Sequence, residues 1–297
     1  MAGRIVVGID GSSQSSAALE WAIGRATAGG DSLSLVSAYT LPAMEFYGFV
    51  ADPTSVDWAR EYTMQILSAG AARAREADPA IDVSEAAEIG PAGAVLISAA
   101  EGAAMLVVGR RGLGTAMSAL LGSVSDRLSV QAPCPLVVVG PEEQPRDGGP
   151  VVVGVDGSEF GTAALAFALA EAQVRGVGVR VVSVTESHPA VSASDPELAD
   201  RMSAAAAVDA DDVIARALEA VPALGGSSDV ETIVADGHPA EAIVANAQDA
   251  QLIVVGSHGK GFIRRALLGS VSREVLRNAE RPVAVVGHRA TEQRAAD

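Results

Sequence analysis

The sequence holds a single cysteine, Cys134, and a single lysine, Lys260. One cysteine excludes an intrachain disulfide and any cysteine-built metal cluster. Cys134 stands in "APCPLVVVG" beside an expected buried strand, so it reads as a small apolar core residue rather than a redox group. Basic residues are few: 21 Lys and Arg face 37 Asp and Glu, for a net charge of −16 and a pI near 4.6. That balance argues against non-specific binding to nucleic acid or to an anionic membrane surface. No apolar run reaches the roughly 18 residues of a membrane-spanning helix, and the apolar part of "MAGRIVVGID" is too short for a signal peptide. The expectation is a soluble, cytoplasmic chain. The four histidines, His188, His238, His258 and His288, have no metal-ligand spacing, and no paired acid and base or nucleophile elbow stands out. No catalytic residue and no metal ligand is therefore assigned.

What is present is written twice. "RIVVGIDGS" from Arg4 returns as "PVVVGVDGS" from Pro150, and "MLVVGRRG" from Met105 returns as "LIVVGSHG" from Leu252. The near-constant offset marks the tandem duplication of a domain, not a solenoid of short repeats. Between the copies, "PEEQPRDGGP" reads as a linker. The expected division is a first domain over 1–140, a linker over 141–149, a second domain over 150–289 and a tail over 290–297.

Within each copy, short β-branched runs alternate with amphipathic stretches. Runs such as "IVVGI" suit buried parallel strands, and the serines of "GSSQSSAALEWAIGRA" suit a helix start. The alternation predicts an α/β fold: two tandem domains, each a five-stranded, doubly wound parallel sheet flanked by helices. Ligands of such sheets bind beyond the carboxyl ends of the strands, where the strand order reverses.

The glycines give the chemistry. Gly109 ends the run "AAMLVVG", Gly112 follows it, and Gly122 with Ser123 opens a helix, nine residues lying between Gly112 and Gly122; Gly256, Gly259, Gly269 and Ser270 repeat the pattern. Glycine adopts positive φ or lets a ligand approach the backbone. A helix start offers unpaired N–H groups at the positive end of its dipole. Together they suit an anion such as phosphate, with Ser123 and Ser125 as further hydroxyl donors. On this view Gly109→Ala weakens binding while leaving the fold intact. A Walker loop is absent, and "GIDGSS" after the first strand lacks the dinucleotide fingerprint. Asp10 has two readings, a helix cap and a carboxylate at the binding edge. Phe46, Tyr47, Phe49, Trp58 and Tyr62 cluster in one segment with no counterpart in the second copy, and read as a packed flap or as a lid or partner surface.

On these motifs the chain resembles the universal stress protein family in its tandem form. The resemblance implies two Rossmann-like domains of the adenine nucleotide alpha hydrolase kind. It also implies ATP as ligand, with Mg²⁺ accompanying the phosphates, and a homodimer formed through the last strand. The role implied is regulation in stress or dormancy, with a protein partner unidentified. A slow ATPase or nucleotidyl transferase is the alternative, with Asp10 and Arg111 as its candidates. The nucleotide-binding residues it implies begin with Gly8, Asp10 and Ala38. They continue through Gly109, Arg110, Arg111, Gly112, Leu113 and Gly114 to Gly122, Ser123, Val124 and Ser125. In the second copy they are Gly154, Asp156 and Val184, then Gly256, Ser257, His258, Gly259, Lys260 and Gly261, then Gly269, Ser270, Val271 and Ser272. Arg111 and His258 occupy equivalent positions. A permanently charged guanidinium clamps phosphate better than a neutral imidazole, so the two sites are expected to differ.

Overall fold

The computed structural model describes residues 3–40, 53–112, 121–140, 148–185, 196–221, 229–259 and 267–287. The chain divides into two units, Met1–Glu143 and Gln144–Asp297.

The first unit runs β1 (Arg4–Gly8), α1 (Ser13–Gly29), β2 (Ser32–Tyr39), α2 (Pro53–Ala77), β3 (Val83–Ile89), α3 (Ala92–Ala99), β4 (Met105–Gly109), α4 (Ser123–Gln131) and β5 (Leu136–Val139). Its strands pair in parallel in the order β3-β2-β1-β4-β5. The strands β4 and β5, MLVVG and LVVV, lack any polar alternation, and every residue in them is buried. Such strands suit a sheet covered on both faces. At the edge, β3 (VSEAAEI) is only partly covered. Ser12 starts α1 by accepting the Ser15 N–H at 3.1 Å, and Gly30 at φ 68° ends it in the left-handed region.

The second unit repeats the plan: β6 (Val151–Gly154), α5 (Glu159–Arg175), β7 (Val179–Thr185), α6 (Pro196–Ala220), β8 (Val230–Asp236), α7 (Pro239–Ala245), β9 (Leu252–Gly256), α8 (Ser270–Asn278) and β10 (Val283–Val286). Its parallel order is β8-β7-β6-β9-β10. In both units the strand order reverses at the central pair, β1 with β4 and β6 with β9. The carboxyl ends of those pairs carry Gly8 and Gly109, and Gly154 and Gly256.

The copies keep an offset of 146 or 147 at the strands (154 − 8 for β1 and β6, 230 − 83 for β3 and β8). The second helix of each copy departs from it. "ARAREADPA" from Ala72 matches "ARALEAVPA" from Ala215, an offset of 143 (215 − 72). The buried positions agree: Leu67, Ala71 and Ala74 of α2 correspond to Ala210, Ile214 and Ala217 of α6. The chain before this helix is shorter in the second copy and the chain after it is longer.

Candidate functional site

The turn after β1 fixes a carboxylate at the edge of the sheet. Asp10 Oδ1 accepts the Ser12 N–H at 3.0 Å, and Gly11 sits at φ 82°. In the second unit Asp156 Oδ1 accepts the Ser158 N–H at 3.0 Å and the Ser158 hydroxyl at 2.6 Å, with Gly157 at φ 77°. The helix caps are thus Ser12 and Ser158, which corrects the reading of Asp10 as the cap. The Asp-Gly turn also explains why Gly11 and Gly157 are glycines.

The glycine motif has a different physical basis from the one expected. Gly109, Gly112, Gly122 and their copies are not among the positive-φ glycines. What they provide is close approach. A Cβ on Gly109 would lie 2.8 Å from both the carbonyl carbon and the carbonyl oxygen of Gln14, in the first turn of α1. One on Gly256 would lie 2.8 Å from the Phe160 carbonyl carbon. The first glycine of each motif therefore admits a helix against a strand end. The second admits the carboxylate: a Cβ on Gly112 would collide with Asp10 Oδ2, and one on Gly259 would lie 2.8 Å from Asp156 Oδ2. Gly8 and Gly154 leave room for Leu96 and Ile243.

The loop after β4 is closed at its base. The Gly122 N–H donates to the Arg110 carbonyl at 3.0 Å, and the Gly269 N–H donates to the Ser257 carbonyl at 2.8 Å. Ser125 is buried and donates its hydroxyl to the Gly109 carbonyl at 2.9 Å; Ser272 donates to the Gly256 carbonyl at 2.5 Å. These hydroxyl protons hold the strand end, which corrects the expectation that Ser125 offers its proton to phosphate. Ser123 and Ser270 stand exposed at the first helical positions.

A cavity opens over each switch point. The first, about 280 Å³, is bounded by Gly8, Asp10 and Ala38, by Gly109, Arg111 and Gly112, and by Gly122 through Ser125. The second, about 540 Å³, is bounded by Gly154, Asp156 and Val184, by Gly256, His258 and Gly259, and by Gly269 through Ser272. Arg110 and Ser257 do not line these cavities. Leu113, Gly114, Lys260 and Gly261 lie outside the described residues, as do Phe46, Tyr47 and Phe49. Trp58 and Tyr62 stack at 5.8 Å, both exposed. The Arg111 N–H is held by Gln14 Oε1 at 2.8 Å. His258 Nδ1 lies 3.0 Å from the Ser257 hydroxyl, and its ring lies 5.2 Å from that of Phe160.

Sequence reasoning missed two sets of residues. The helix α6 contributes Ala206, Asp209, Ala210 and Val213 to the second cavity, and nothing in the motif signals a helix wall. On the surface, His238, Glu241 and Glu274 bring their donor atoms within 4.8 Å of one another, although spacing along the chain gave no sign of it. Burial pushes the Cys134 thiol up to about 12, in keeping with an inert core residue. Among the described residues no helix is long and apolar enough to cross a membrane.

Comparison with known proteins agrees with this architecture. The universal stress protein family profile matches residues 1–140 and again 149–287. The universal stress protein Rv2005c of Mycobacterium tuberculosis is 31% identical over 288 residues, covering 95% of this chain and 96% of its own. A universal stress protein of Mycolicibacterium smegmatis is 32% identical over 299 residues, with coverage of 95% and 96%. The crystal structure of a universal stress protein from Archaeoglobus fulgidus superposes with a TM-score of 0.68 at 20% identity, over 96% of this chain and 98% of that one. Two matches to one family, one for each copy of the strand-end carboxylate and glycine loop, make this chain a tandem member of the universal stress protein family.

Proposed function

We propose that each domain binds an adenine nucleotide, ATP with Mg²⁺, and that nucleotide state regulates partners or assembly during stress, growth arrest or dormancy. One observation carries the reading. At the switch point of each parallel sheet a fixed carboxylate, Asp10 or Asp156, meets a glycine loop that leads into a helix N-terminus. The helix start and the loop suit phosphate. The oxygen donors, a carboxylate with Ser123 or Ser270 nearby, suit a hard divalent cation that bridges protein and phosphates. No dinucleotide fingerprint follows the first strand, which favours ATP over NAD. A homodimer in the cytoplasm is the setting proposed for this activity.

Mass spectrometry of nucleotide released from purified protein, with calorimetry against ATP and NAD, tests the reading. Release or binding of ATP is expected. Tight NAD binding without ATP binding would overturn it. Asp10 and Arg111 line the same cavity, which supports slow ATP hydrolysis as a second reading. Phosphate release that Asp10→Asn abolishes would favour that reading.

A further inference from the structure

The motif residues of the two cavities correspond, yet one cavity has about twice the volume of the other. Among the described residues the largest difference in lining lies on one wall. In the second domain α6 lines the cavity with Ala206, Asp209, Ala210 and Val213; among the described residues α2 lines no part of the first. By the helix register established above, these positions hold Thr63, Ile66, Leu67 and Gly70 in the first domain. Ile66 lies over the turn that carries the carboxylate: a Cβ on Gly11 would be 3.2 Å from Ile66 Cδ1. A branched apolar side chain thus closes down on the Asp10–Gly11 turn. In the second domain the same position holds Asp209, which is exposed, flanked by alanines where the first domain has Thr63 and Leu67. Small-molecule pockets span roughly 300–1,000 Å³, which puts the second cavity well inside that range and the first at its lower edge.

We propose that the second domain is the resident nucleotide site and that the residue at this helix position, Asp209 or Ile66, sets the difference. The proposal rests on the adenine-nucleotide reading. A ligand entering the first domain must move Ile66 off the Gly11 turn, so its apparent affinity falls by the fraction of time that the wall stands open. In the second domain no such movement is required. Asp209 also gives the pocket a direction. A carboxylate accepts hydrogen bonds and repels phosphate. It therefore favours the ligand's hydroxyl- or amine-bearing end on the α6 side and its phosphates at the start of α8.

The test is calorimetric titration of the full chain with Mg·ATP. Wild type is expected to show one tight event per chain and a second about tenfold weaker or more. Gly259→Ala should weaken the tight event roughly tenfold, and Gly112→Ala only the weak one. Ile66→Ala should strengthen the weak event roughly tenfold, and Asp209→Ile should weaken the tight one by a similar factor. Ile66→Val, a smaller change with little risk to folding, should shift the weak event in the same direction, and thermal unfolding without nucleotide confirms that each variant is folded. Two equal events in wild type, or loss of the tight event in Gly112→Ala, would overturn this inference alone. Absence of binding throughout would overturn it together with the nucleotide reading.

Discussion

Gly109 and Gln14 are packed so that a methyl group at position 109 would sit 2.8 Å from the Gln14 carbonyl carbon and oxygen. The first motif glycine therefore belongs to the packing of α1 on β4 as much as to any ligand. Backbone cannot move aside as a flexible side chain can. Gly109→Ala is accordingly expected to destabilise the protein by about 1–3 kcal/mol, the usual scale for overpacking. This reverses the expectation from sequence that such a variant keeps its fold intact. Gly256→Ala, against Phe160, should behave alike. Urea denaturation reads the effect; an unchanged midpoint for both variants would refute the packing argument.

Gly112 and Gly259 report on the site instead. A Cβ at either meets the carboxylate tip of Asp10 or Asp156, which can shift by giving up its turn hydrogen bond where backbone could not. The expected outcome is a stability change below about 1 kcal/mol, the surface scale, with a nucleotide affinity reduced roughly tenfold at the altered site. Melting curves with and without ATP separate the two effects. A large loss of stability without ligand would count against this assignment.

Ser158 joins the cap to the carboxylate, accepting the Gly161 N–H at 3.0 Å and donating to Asp156 at 2.6 Å. Ser158→Ala should cost about 1 kcal/mol for the lost cap. It should also weaken nucleotide binding in the second domain, because Asp156 loses a hydrogen bond that positions it. Ser158→Thr keeps both bonds and should restore both properties. If Ser158→Ala binds nucleotide as wild type does, the Ser158 hydroxyl takes no part in positioning Asp156 for binding.

Cys134 supplies a pH test. Burial favours the neutral thiol and raises it from 9.0 to about 12 in the folded chain. Between those values the unfolded chain has lost the proton that the folded chain keeps. Stability therefore falls as pH rises from about 9 towards 12. Cys134→Ala should flatten that part of the stability curve, which denaturation at several alkaline pH values would show. The native thiol should also resist alkylation at pH 8 and react once urea is added.

The parallel α/β fold of each copy and the place of its glycine loops were legible because uninterrupted apolar runs, serine caps and glycines are local signals. "MLVVG" could hardly be anything but a covered strand, and its terminal glycine placed the loop at the sheet's edge. What Gly109 and Gly112 are for was not legible. Their partners, Gln14 and Asp10, are far away in the chain, and composition says nothing about which backbone comes close. Ser125 was misjudged for the same reason, since the carbonyl that takes its proton belongs to another element. The α6 wall stayed hidden because a helix face is defined only once its register against the sheet is known.

That register has a consequence for any comparison of the two halves. The duplicated copies differ by more than substitution: the second is shorter ahead of its second helix and longer after it, so the helix keeps its place on the sheet while its numbering slides. A superposition of the halves by a constant spacing of 147 would set Ile66 against Val213 and Leu67 against Ile214. Four residues are close to one helical turn, so that slip still places apolar opposite apolar. The mistake conceals itself, and the one informative exchange in the helix, isoleucine for aspartate, vanishes from view.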